Sequence, residues 1–104
     1  MGYNLIIADL ALAELADVVV FIAQSSSLRA QKYKSDVMTK IAKLERDPYL
    51  GKPHTIGKLR KLGYRKLVVE SHTAHYLVNE NKKQVHVIRI LHNTMDEKRH
   101  LKNT

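Results

Sequence analysis

The chain has 104 residues, 44% hydrophobic and 27% charged, and carries a formal net charge of +8 from 18 Lys and Arg against 10 Asp and Glu. That length suits one domain with one core, spanning 1–104, and the longest candidate apolar run, Val18 to Ala23, falls far short of the roughly 18 residues a membrane span needs. Cysteine is absent, so disulfides and thiolate metal sites are excluded. No basic, cleavable leader opens the sequence, and a cytoplasmic protein without a membrane partner is the expectation.

The basic surplus draws the chain towards polyanions: nucleic acid, the ribosome or an acidic protein. Its distribution is uneven. Lys52, Lys58, Arg60, Lys61, Arg65 and Lys66 fall within fifteen residues that contain no acid. Such a concentration implies a site rather than a generally solvated surface.

Tyr3 to Ile7 reads as a strand. Asp9 is placed to cap a helix from Leu10 to about Gln24, whose polar positions Glu14, Asp17 and Gln24 form one narrow stripe. The rest of that helix is Ala, Leu, Val, Phe and Ile, so it needs cover on more than one side. The sheet supplies one cover; a second helix or a partner chain must supply the other.

Ser25-Ser26-Ser27 breaks the run, and Ser26 or Ser27 can cap a second helix reaching Arg46. Ala30, Tyr33, Val37, Ile41 and Leu44 line one face, with Arg29, Lys32, Lys40 and Lys43 opposite. The two helices read as an antiparallel αα-hairpin. Asp47-Pro48 ends it. Residues 48–63 hold two Pro and three Gly and predict a long loop without regular structure, a common carrier of function.

Three strands follow: Tyr64–Glu70, Thr73–Asn79 and Gln84–Leu91, joined at Ser71-His72 and at Glu80 to Lys83. Alternation in the last puts His86, Ile88, Ile90 and His92 on one face and Val85, Val87, Arg89 and Leu91 on the other. It therefore predicts a central strand with Arg89 embedded in it. Met95 to Leu101 is expected to be a short helix or an irregular tail.

Strand, turn, strand, turn, strand, then Ile90-Leu91-His92-Asn93-Thr94-Met95-Asp96 and Leu101, resembles the ending of RelE/ParE superfamily toxins, and most closely the ParE branch. Ala11 to Asp17, Ile41 to Gly51 and Leu59 to Val68 carry further markers in the same order, so the resemblance covers nearly the whole chain. It implies an α+β fold of order β-α-α-β-β-β, with the αα-hairpin packed on an antiparallel sheet. It also implies the toxin of a type II toxin–antitoxin system of the plasmid-stabilisation kind, with a cognate antitoxin as partner.

The two branches imply different targets. RelE-like toxins are ribosome-dependent endonucleases that cut messenger with basic and aromatic side chains. Arg65 falls where they place a catalytic lysine, His75 where they place a strand arginine, and His92 or Asn93 near a second arginine. Leu67 stands where another base is expected, and no tyrosine follows Tyr76. The catalytic candidates are therefore Arg65, His75 and His92, the histidines because imidazole titrates near working pH. ParE-like toxins lack that set and poison DNA gyrase by protein contact; the ending favours this branch and leans against an enzyme. In that reading His92 fixes the strand end and Asp96 caps the next turn.

The residues expected to meet a polyanion or target are Lys58, Arg60, Lys61, Arg65, Lys66 and Arg89. No cofactor is implied. The six histidines show neither HxH nor HExxH spacing, which leaves them as turn or face residues rather than metal ligands. A non-toxic nucleic-acid-binding module is the remaining class; no RNP aromatics, GXXG loop or zinc ligands support it, and strand tyrosines such as Tyr64 and Tyr76 are mostly core.

Overall fold

The computed structural model describes residues 2–94. The elements run β1 (Asn4–Ile7), α1 (Asp9–Ala23), α2 (Ser27–Ala42), a 3-10 turn (Lys43–Glu45), β2 (Lys52–Pro53), α3 (Gly57–Lys61), β3 (Arg65–Val69), β4 (His72–Asn79) and β5 (Gln84–His92). They form a five-stranded sheet of order β1-β5-β4-β3-β2. The expected antiparallel sheet is found in every pairing but one: β1 lies parallel to β5. The predicted tail from Met95 lies outside the described residues.

Among the described residues no helix is long and apolar enough to cross a membrane. The helical hairpin covers one face of the sheet. Val37, Ile41 and Leu44 pack with Leu67, Val69, Ala74, Tyr76, Val85 and Val87 in the main core. The predicted inner face of α2 is thus the observed one. Ser26 caps that helix as expected, its hydroxyl accepting from the Arg29 N–H at 3.2 Å.

Asp9 does not cap α1. Ala8 occupies that position without a side-chain bond, and Asp9 is the first helical residue. The reason is the sheet: the Ala8 N–H donates to the Val87 carbonyl at 2.9 Å, so helix and strand pairing meet at Ala8. Asp9 still sits where a negative charge suits the helix N-terminus. The expected loop 48–63 is likewise corrected. It contains β2, paired with the start of β3, and the short helix α3.

Strand alternation puts Leu77 opposite Tyr76 and Val78, on the face away from the hairpin. There Leu59 of α3 and Tyr64 form a second, smaller cluster with Ile56, Leu77 and Ile88. The predicted alternation of β5 fails at this point. His75 pairs with Arg89 and Tyr76 with Val87, leaving Ile88 as an extra residue in β5. This bulge resets the faces, so Val85, Val87 and Ile90 all reach the main core while Ile88 joins the second cluster.

Candidate functional site

The basic residues divide into exposed charges and committed ones. Lys58, Arg60 and Lys61 are exposed on α3, which Leu59 anchors from beneath. Lys66 on β3 pairs in register with Lys52 on β2, so the patch continues from α3 across the sheet edge.

Arg65 has a different task. Its Nη2 donates to the Gly51 carbonyl at 2.6 Å and to that of Tyr49 at 3.3 Å, and its guanidinium lies 5.0 Å from the centre of the Tyr49 ring. It holds the 49–51 turn against the sheet. The Tyr49 hydroxyl in turn donates to Glu80, which also accepts from Tyr3 at 2.7 Å. The bond to the Glu80 carboxylate pushes the Tyr49 phenol up to about 12, so it remains a neutral donor.

Arg89, expected at a target surface, forms an ion pair with Glu14 of α1: Nη2 to Oε2 at 2.6 Å and Nε to Oε2 at 2.9 Å. The other Glu14 oxygen accepts from the Ile90 N–H at 2.9 Å. Beyond the end of β1, one carboxylate thus covers the open edge of β5 and ties α1 to it. Glu14, one end of the narrow polar stripe shared with Asp17 and Gln24, therefore makes an internal contact.

The catalytic candidates do not converge. Arg65 begins β3 and His92 ends β5, while their cross-strand partners on β4, Tyr76 and His72, stand four residues apart. His75 is fully buried on the face away from the hairpin, its ring 5.4 Å from that of the buried His54. His92 packs edge-on against His72 at 5.1 Å, and its Nδ1 is 2.8 Å from the Thr94 hydroxyl. Leu67 lies in the core.

His72 is joined to α2 through the Tyr33 hydroxyl, 2.5 Å from its Nδ1. Burial, reinforced by the neighbouring His92, holds its pKa below the ordinary 6.5. The folded protein therefore disfavours the imidazolium more than the unfolded chain does. The resulting stability is present above pH 6.5 and is lost as pH falls towards the depressed folded value. Urea unfolding at pH 7.5 and 5.5 should show this decline, and His72→Asn should flatten it.

The hairpin keeps a large apolar surface uncovered. Val20 and Phe21 are 62% and 72% exposed on α1, and Leu10 and Leu12 are also exposed. Beside them a groove of about 450 Å³ runs between the helices, lined by Leu12, Leu15, Val19, Val20 and Met38, with Lys34 beside them. The second cover that α1 required is therefore only partly supplied by α2.

The family model for the ParE toxin of the type II toxin–antitoxin system parDE matches residues 5–97. The chain belongs to the ParE toxin family. Solved structures agree in fold. The chromosomal ParDE toxin–antitoxin system of P. aeruginosa matches with a TM-score of 0.71 at 20% identity, over 86% of this chain and 95% of that one. The RelBE2 toxin–antitoxin complex of Mycobacterium tuberculosis gives 0.66 at 18% identity, over 89% and 100%. A free double arginine-to-alanine mutant of the E. coli toxin RelE gives 0.65 at 19%, over 93% and 90%. A sequence comparison with curated proteins finds no match.

Of the ParE-like ending, Ile90 to His92 closes β5, whereas Met95, Asp96 and Leu101 lie outside the described residues. Tyr64 and Tyr76 are core residues, as strand tyrosines usually are. Sequence reasoning missed the roles of Glu14, Tyr49 and Glu80 in this ParE-family chain. Only the Glu14 contact had a sequence sign: an arginine embedded in a central strand calls for a carboxylate.

Proposed function

We propose that this toxin arrests growth by contacting DNA gyrase in the cytoplasm, without being an enzyme, and that an antitoxin encoded beside it covers the hairpin. The observation that carries the target is the dispersal of Arg65, His75 and His92. A phosphodiester cleaved through its 2′-hydroxyl needs acid, base and phosphate-stabilising groups within reach of one phosphate. Here one candidate is tied to a turn, one is sealed in the sheet and one stands at the far end. The exposed cations of α3, together with Lys66, are the surface offered to the target.

The partner reading rests on Val20, Phe21 and the neighbouring groove, which suit the apolar face of an amphipathic helix. Acidic residues elsewhere on that partner match the +8 charge. Co-expression with the adjacent reading frame, one of the two tagged, should co-purify a small acidic protein. Induction of the toxin by itself should halt growth. Normal growth at verified expression would instead favour the plain nucleic-acid binder.

Phe21→Asp is expected to weaken the complex by about 30-fold, the scale of an interface hot spot of about 2 kcal/mol. The ring is exposed, so the folded chain should keep its thermal stability. Calorimetry of the variant with the antitoxin checks both statements.

A further inference from the structure

The sheet face away from the hairpin carries a groove of its own, about 600 Å³, beside β4, β5 and the turn that joins them. Leu77 and Ile88 supply its apolar lining, and Asn79, Glu80, Asn81 and His86 its polar lining. Leu77 pairs in register with His86, so both side chains stand on this face. The bulge in β5 turns Ile88 the same way.

This groove adjoins α3. Leu77 and Ile88 are the half-buried residues that pack against Leu59 and Tyr64 in the second cluster. Lys58, Arg60 and Lys61 are exposed on the same short helix that Leu59 anchors. Towards the β4–β5 turn the groove meets exposed Lys82 and Lys83. Its one acidic lining residue, Glu80, already accepts from the Tyr49 hydroxyl, from the Tyr3 hydroxyl at 2.7 Å and from the Lys83 ammonium at 3.3 Å. An apolar depression is thus flanked by cations on two sides. Apolar centre and polar rim are the anatomy of a protein–protein contact.

We infer that the toxin meets its target through a composite surface, in which the groove at Leu77 and Ile88 takes an apolar side chain of gyrase while Lys58, Arg60, Lys61 and Lys82 pair carboxylates around that side chain. The inference rests on the gyrase reading and gives it a point of contact. The occupant is a protein rather than the DNA that gyrase holds. A phosphate backbone would engage the cations and leave Leu77 and Ile88 nothing to bury against.

Two variants probe the two halves of the surface, by calorimetry of the purified chain with gyrase free of DNA. Asn81 is exposed, so Asn81→Trp crowds the groove without disturbing the core. Lys58→Ala/Lys61→Ala removes two rim charges. Each should weaken binding at least about tenfold, as loss of a central anchor or of paired rim charges does. Arg29→Ala/Lys43→Ala takes the same charge from the outer face of α2 and should change affinity by less than about twofold. Thermal melts of all three verify that the fold is kept. Undiminished binding of Asn81→Trp, or an equal loss in the α2 variant, would overturn the inference. So would tight binding to duplex DNA that Lys58→Ala/Lys61→Ala abolishes and Asn81→Trp leaves intact.

The parent chain separates this failure from that of the broader reading. If it neither binds gyrase nor blocks supercoiling, the gyrase reading fails and takes the composite surface with it. If it does both, and the two surface variants match it, only the assigned surface is wrong.

Discussion

Glu14→Ala should lower the free energy of unfolding by about 3 kcal/mol, the usual scale for removing one partner of a buried ion pair. The Glu14 and Arg89 side chains are only 18% and 14% exposed, so solvent screening does little to soften the loss. The change takes a carboxylate from the guanidinium and an acceptor from the Ile90 N–H together. Glu14→Gln separates these effects. It keeps an acceptor for Ile90 and removes the charge, so it should cost clearly less than alanine. Urea denaturation of the three proteins at pH 7 decides the matter; equal stability of alanine variant and parent would mean the contact contributes nothing net.

Gly51→Ala should be of similar severity, about 3 kcal/mol, at the upper end of ordinary overpacking. A Cβ built there would stand 2.4 Å from the Lys66 carbonyl oxygen and 2.7 Å from the Tyr76 hydroxyl. One of those neighbours is backbone of the sheet and cannot swing aside. The same glycine donates its N–H to Tyr76 at 2.9 Å and offers its carbonyl to Arg65. Displacing it would therefore loosen the turn that starts β2. Tyr76→Phe removes only one of the two obstacles and should not rescue Gly51→Ala. Thermal melts of the single and double variants check this, and a melting temperature unchanged by Gly51→Ala would contradict it.

The long, periodic elements were readable in the chain. Val37, Ile41 and Leu44 declare the buried face of α2 at helical spacing, and three β-rich runs declare β3, β4 and β5 to within a residue or two. Elements of two and five residues are too short to show any period, so β2 and α3 were read as loop. The bulge at Ile88 was hidden because an extra residue leaves the β-favouring composition intact; only the doublets Val87-Ile88 and Ile90-Leu91 hint at a change of face. Lys40 stands on the α2 face opposite the apolar one, yet its long side chain reaches back to the Val68 carbonyl.

The candidate site was readable as chemistry and not as geometry. Lys58, Arg60 and Lys61 are exposed together, as the run of cations suggested. Nothing in the residue order tells that Arg65 turns towards Gly51, or that His75 is sealed beside His54. Those placements depend on which strand face each residue takes and on contacts between segments distant in the chain.

They also bear on the choice of target. A leucine at position 67 neither donates a proton nor neutralises a phosphate, and it is buried in the core. A gyrase poison needs no such group, only a surface. The most direct measurement is therefore a supercoiling reaction with purified gyrase, relaxed plasmid and ATP, run with the toxin and then with its antitoxin restored. The account predicts that the toxin blocks supercoiling, that the antitoxin relieves the block, and that messenger stays intact in induced cells while they filament. Unaffected supercoiling, with cleavage mapped to ribosome-bound codons and abolished by Arg65→Ala or His92→Ala, would contradict it.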